Sequence, residues 1–179
     1  MASIAELDEA VSTARRAGCK DLILLKCTST YPATPENSNI LTIPHMRELF
    51  DCEVGLSDHT MGIGASVAAV AHGATVIEKH FTLSRDDGGI DSAFSLEPNE
   101  LKSLVIETEC AWQSLGDITY GATSSEEKSK NFRRSIYASE DINKGDMFTK
   151  DNLKIVRPGM GLAPKFYSQC LGRKAKLDI

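Results

Sequence analysis

The sequence predicts an α/β protein: the C-terminal portion of a (β/α)8 TIM barrel over residues 1–118, a linker over 119–134 and a small β-rich domain over 135–179. Three observations carry that reading. Helix-like and strand-like stretches alternate strictly as far as Thr82, and such alternation builds a parallel sheet. Each strand-like run closes in a polar cluster (Lys26 to Tyr31, Ser57 to His59, Glu78 to His80), as the functional ends of parallel strands do. Beyond the charge-dense SSEEKSK the pattern changes to short strands with little helix. Three strands leave bare sheet edges, and a closed barrel takes about 250 residues. The expectation is therefore the last three strands of a barrel and most of an appended domain, truncated at both ends and inactive by itself.

Taken in order, Ser3 and Glu6 fit a capping box for a first helix with the apolar face Ile4, Leu7, Val11, Ala14 and Ala17, and Gly18 as its stop. Residues 22–25 form a buried strand. Pro32, Pro35 and Pro44 keep the next stretch irregular, and a short helix runs from about 45 to 50. Residues 53–56 are the second strand. Residues 62–72 form an alanine-rich helix ended by a left-handed Gly73, and 74–79 are an apolar, β-branched third strand. Residues 81–98 are too polar and glycine-bearing to form an element, and 18 residues exceed the usual connection length, as functional loops do. Pro98 opens a helix to about Leu115, stopped by Gly116, with Leu101, Leu104, Val105, Thr108 and a core anchor, Trp112, on one face. In the last domain, residues 135–139 and 154–157 are strands around a turn at 143–146. A short helix at 164–171 and a strand at 174–179 follow.

Composition narrows the function. With 41% hydrophobic and 25% charged residues, this is an ordinary globular sequence. No apolar run approaches the ~20 residues that span a bilayer, and the start lacks the layout of a secretory signal. Five cysteines without a CxxC pair or regular spacing read as reduced thiols of a cytoplasmic protein. A net charge of −5 with no basic run argues against nucleic acid as partner. An anionic small substrate stays open, because a few focused cations override the global sign.

The strand ends supply the chemistry. His59 and His80 each follow a parallel strand, which brings them side by side at one rim, with Asp58 and Glu78 beside them. Two imidazoles with carboxylates nearby suit a divalent transition metal that keeps positions open for water or substrate. Either histidine alone is as well read as a strand cap; the matched placement of both favours the metal. His45, at a helix start, and His72, beside a glycine stop, are read as structural.

The motifs LLKCTSTYPA, VGLSDHTMG, VIEKHFTL, GGIDSAFSLEP and IVRPGMGLAPKFY occur in this order, and together they resemble the sialic acid synthase family. Those enzymes condense phosphoenolpyruvate with an amino sugar to make nonulosonic acids. LLKCTS and DSAFSLEP are most similar to the pseudaminic acid synthase branch. The resemblance implies a barrel followed by an antifreeze-like (SAF) domain in a domain-swapped homodimer. It implies His59 and His80 as ligands of manganese or magnesium. It also implies Ser57, Glu78 and Tyr31 as catalytic groups, with Ser29, Asp58 and Lys79 holding substrate alongside them. Ser29 stands where the family often has Asn. Arg157 of RPGMG resembles an arginine sent into the partner subunit's site, and Phe132 an aromatic contributed the same way.

The implied chemistry is attack of phosphoenolpyruvate C3 on the open-chain sugar aldehyde, then addition of water at C2 and loss of phosphate. Ala93-Phe94 offers an apolar surface that suits a 2,4-diacetamido-2,4,6-trideoxy-altrose type of sugar. N-acetylmannosamine, as used by an N-acetylneuraminate synthase, is the alternative. A carbohydrate-binding module without turnover, and a metal-dependent barrel aldolase or hydrolase, are the competing classes. The RPGMG motif argues against the last of these.

Overall fold

In the computed structural model, which describes Met1–Ile179, the chain enters helix α1 (Ile4–Arg16) through the expected capping box. The Ser3 N–H donates to Glu6 Oε2 at 2.7 Å, and the Glu6 N–H to Ser3 Oγ at 3.4 Å. Of the expected apolar face, Val11 is buried and Leu7 packs on the core, whereas Ile4 and Ala17 are exposed. Arg15 donates to the carbonyls of Phe50 (2.6 Å) and Asp51 (2.9 Å), so α1 is tied to the end of α2 (Thr42–Phe50). Helix α2 starts earlier than the sequence suggests and includes Pro44. A proline in a helix's first turn removes an N–H that has no intrahelical acceptor in any case.

Strands β1 (Ile23–Cys27), β2 (Glu53–Asp58) and β3 (Ile77–Lys79) form a parallel sheet in the order β1-β2-β3. The first two run further than expected, so Lys26, Cys27, Ser57 and Asp58 lie within strands. Strand β3 is shorter than residues 74–79, although Thr75 N–H still bonds the Val54 carbonyl (3.0 Å) and Leu56 N–H the Val76 carbonyl (2.9 Å). Gly55 permits this approach: a Cβ there would lie 2.3 Å from the Val76 oxygen. Val54 and Leu56 join Ile43, Met46, Phe50 and Ala69 in one core, with Leu24 and Ile77 packed on it. Side chains alternate along a strand, so Ser57, between Leu56 and Asp58, faces away from that core.

Helix α3 (Gly64–Ala71) packs against α4 (Pro98–Leu115), which is opened by Pro98 and the Glu97–Glu100 pair and stopped by Gly116. Leu104 is the buried residue of α4. Trp112 is not a core anchor. It is 62% exposed and lines a groove with Val70, Ala74, Thr75, Ile77 and Val105, because β3 is an edge strand in this sheet with no neighbour to cover the groove. Residues 81–98 are also more ordered than their composition suggests. They hold 3-10 turns at Arg85–Asp87 and Ser92–Phe94, and Arg85 binds Glu97, the Ser95 carbonyl and Glu100.

The chain divides into two compact units, Met1–Asp117 and Ile118–Ile179. In the second, β4 (Ser135–Ala138) pairs antiparallel with β5 (Leu153–Val156) over a core of Ile142, Leu153 and Ala175. A 3-10 turn at Pro164–Phe166 leads into the short α5 (Tyr167–Cys170). Residues 174–179 are not a strand. Ile179 and Ile142 exchange both backbone bonds, and Ala175 bonds Asp146, but the pairings are too scattered to make a ladder. Within 119–134, Ser124–Phe132 is a 3-10 helix capped by Thr123 and Glu126. No helix of the protein is long and apolar enough to cross a membrane.

Candidate active site at the strand ends

The register aligns Cys27 with Ser57 and Ser57 with Glu78, which makes a polar row across the sheet on the face away from the core. Ser57 is buried and its hydroxyl donates to Glu78 Oε1 at 2.7 Å, while Glu78 itself is exposed. One carboxylate oxygen is thus oriented by the protein and the other is open to a substrate.

One position further along, the strands end in His59 and His80, whose ring centroids are 5.1 Å apart. Nδ1 of His59 lies 3.0 Å from the Thr28 carbonyl and 3.8 Å from Cys27 Sγ. A carbonyl only accepts, so this nitrogen carries the proton and Nε2 keeps its lone pair. Nδ1 of His80 faces the Asp91 carboxylate at 3.5 Å, which favours the same tautomer. Imidazoles fixed in this way through the far nitrogen are the usual form of metal-ligating histidines. The pair is a partial ligand set: no group of three or more His, Cys, Asp or Glu side chains converges as a metal cage. The donor set therefore fits a divalent cation that takes its other ligands from water or substrate.

Aromatic rings wall the pair. Tyr31 lies 4.4 Å from His59 between ring centroids, and Phe94 lies 5.0 Å from His80. Tyr31 is more than half exposed, so its ring and hydroxyl are available above the histidines. The Ala33 N–H bonds the His59 carbonyl at 2.8 Å, which holds the segment carrying Ser29 and Tyr31 over the site. Ser29 is exposed, with Oγ 3.8 Å from Cys27 Sγ. Phe94 is buried and forms no apolar surface for a sugar; of Ala93-Phe94 only Ala93 is exposed.

Asp58 and Lys79 do not present their charges to a substrate. Lys79 Nζ lies 2.9 Å from Asp58 Oδ2, and the two side chains are 3% and 1% exposed. Asp58 also accepts from Ser66 Oγ (2.7 Å) and the Thr60 N–H (2.8 Å). Burial pushes the Asp58 carboxyl up, but the hydrogen bonds from Ser66, Thr60 and Lys79 outweigh it and hold it below the ordinary carboxylate range. Substrate contact gives way here to an internal ion pair, because both residues point to the core face of the sheet.

Phe132 and Arg157 belong to the second unit, and both are exposed. The Gly159 N–H bonds the Asn131 carbonyl at 3.0 Å, which brings the chain after Arg157 against the chain before Phe132. A Cβ at Gly159 would lie 2.8 Å from the Lys130 oxygen, so the glycine of RPGMG is what allows this contact.

Sequence reasoning missed Asp91 and the Thr28 carbonyl. Asp91 sits in a loop without periodicity, and a backbone acceptor has no residue-type signal. Lys26 is a further cation at the strand ends. It donates to the Cys27 carbonyl and Thr28 Oγ1, both at 3.2 Å, and burial pushes its pKa down.

Comparison with known proteins identifies relatives of this chain. A family model described as the NeuB family matches residues 1–120, and one described as the SAF domain matches residues 133–179. The chain is 50% identical over 159 residues to the pseudaminic acid synthase of Campylobacter jejuni subsp. jejuni serotype O:2, covering 89% of this chain and 46% of that protein. It is 40% identical over 176 residues to the pseudaminic acid synthase of Helicobacter pylori, covering 98% and 52%. Among solved structures, the spore coat polysaccharide biosynthesis protein of Bacillus subtilis superposes with a TM-score of 0.62 at 34% identity, covering 99% of this chain and 55% of that one. The chain spans about half the length of the curated relatives it matches.

Proposed function

Because this chain belongs to the NeuB family, we propose that it carries the strand-end site of an enzyme condensing phosphoenolpyruvate with an acetamido sugar to form a nonulosonic acid, with release of phosphate. The 50% identity to a pseudaminic acid synthase supports a 2,4-diacetamido-2,4,6-trideoxy-altrose type of sugar as the acceptor. The observation that carries the reading is the His59–His80 pair, 5.1 Å apart with each Nδ1 turned to the protein, beside the Ser57–Glu78 hydrogen bond.

In this reading C3 of phosphoenolpyruvate bonds to the sugar aldehyde carbon, and the aldehyde oxygen takes up a proton. Water adds at C2 and the C–O bond to phosphate breaks. Glu78, oriented by Ser57, takes the proton from that water, and Tyr31 and Ser29 contact the sugar over the site. A divalent cation, manganese or magnesium, held by His59 and His80 would polarise the aldehyde oxygen and offset its developing charge. Arg157, with Phe132, reaches a partner subunit's site in a domain-swapped homodimer, where a guanidinium suits carboxylate and phosphate.

The test is phosphate release from phosphoenolpyruvate by the complete enzyme, with kcat/KM compared for the diacetamido-trideoxy sugar and N-acetylmannosamine. The former is expected to be preferred. Preference for N-acetylmannosamine would move the assignment to an N-acetylneuraminate synthase, and release with neither sugar would remove the enzymatic reading.

A further inference from the structure

We infer that the buried Asp58–Lys79 pair is a positioning device that sets His59 relative to His80; the inference rests on the reading of those histidines as metal ligands. Asp58 and Lys79 are register partners at the last positions of β2 and β3, and each directly precedes one of the histidines. The sheet itself does not need a charged pair there. Two positions back, on the same face, Leu56 and Ile77 join the same two strands through apolar side chains. Lysine is costly to bury, and apolar replacements of buried ion pairs commonly leave stability unchanged or improved.

What the charged pair does that Leu56 and Ile77 cannot is reach beyond the strand ends. Lys79 Nζ donates to the Thr60 carbonyl at 2.6 Å, and Asp58 Oδ1 accepts from the Thr60 N–H at 2.8 Å. Both arms meet on the residue that follows His59. His59 therefore lies between Asp58 and Thr60, each fixed by this network, and the cation that closes it comes from the residue before His80. Ser66 Oγ of α3 donates at 2.7 Å to Asp58 Oδ2, the oxygen that Lys79 also binds. The His59 carbonyl is bonded by Ala33 and the His80 carbonyl by Leu96, both at 2.8 Å, so neither backbone is free to compensate.

The experiment titrates Mn²⁺ into the full chain and follows free Mn²⁺ by electron paramagnetic resonance, with a melting curve of each metal-free protein. The variant is Asp58→Asn with Lys79→Met, in which the amide oxygen still accepts from the Thr60 N–H and the amide NH2 can donate to Ser66 Oγ, while both charges go. Outer-shell changes typically weaken metal binding by 10–100-fold, and that loss is expected here with a melting temperature close to the unmodified chain's. A purely structural pair would give the opposite pattern: a lowered melting temperature with Mn²⁺ affinity unchanged in the folded protein, which overturns the inference alone. Absence of Mn²⁺ binding by the unmodified chain overturns the ligand reading and the inference with it. Should the double variant fail to fold, Lys79→Met alone decides: it removes the donor to the Thr60 carbonyl while Asp58 keeps its bonds to Ser66 and Thr60, and wild-type affinity in it overturns the proposal.

Discussion

A neutral imidazole has one donor and one acceptor nitrogen, and its neighbours decide which is which. At His59 the Thr28 carbonyl takes the proton of Nδ1, and at His80 the Asp91 carboxylate faces the same atom. Both rings thus keep Nε2 as the lone-pair donor. Metal polarisation of a carbonyl is worth several kcal/mol, so His59→Ala or His80→Ala is expected to lower turnover of the complete enzyme by roughly 10³-fold. EDTA should abolish turnover and Mn²⁺ or Mg²⁺ restore it; full activity in metal-free buffer would contradict the assignment. His45 and His72 are exposed and away from this geometry, and their alanine variants should keep wild-type kcat. Glu78 depends on its oriented carboxylate, so Glu78→Gln should cost more in kcat than Ser57→Ala, which removes only the orienting bond. Steady-state kinetics on the two variants would expose the reverse order.

At the scale of elements, close packing of strands and open packing of α4 predict opposite sensitivities. Gly55 has the Val76 oxygen 2.3 Å and a Leu25 methyl carbon 2.7 Å from where a Cβ would stand. Gly55→Ala must shift backbone, and overpacking of this kind costs about 1–3 kcal/mol. A lowered Tm is expected, and an unchanged one would show that β2 and β3 separate without penalty. Trp112 offers the contrast. As a core residue its truncation would cost about 3–5 kcal/mol, but exposed as it is, Trp112→Ala should change stability by no more than about 0.5 kcal/mol. Chemical denaturation of the two variants separates these cases.

For the whole molecule, the residues named in the proposal fall in both units. The first holds the histidine pair and the Ser57–Glu78 row, and the second holds Arg157 and Phe132. If the second unit serves a partner subunit, a mixed dimer of complete enzymes carrying Arg157→Ala and His59→Ala has one site in which both groups are intact. Activity near half that of the unmodified dimer, from two inactive parents, is the expected outcome. Mixing that restores nothing would mean that each subunit serves itself. An exposed ion pair in the same position would contribute only about 0–1 kcal/mol and would give no complementation.

The αβ alternation, the capping box at Ser3, the entry of α4 at Pro98 and the convergence of His59 with His80 were all legible in the sequence, because each follows from local chemistry or from the topology of parallel strands. Family membership was legible too, in motifs of short range. Other features only the tertiary structure decided. Asp58 and Lys79 carry the residue types of a substrate site, yet they face the core side of the sheet, where register makes them partners. Asp91 came to His80 through the path of an aperiodic loop, and Trp112 lost its place in a core because an edge strand has nothing beyond it. The residues from 174 to 179 had the composition of a strand and found no ladder. Composition and period say which face a side chain prefers; which partner waits on that face depends on contacts between residues far apart in the chain.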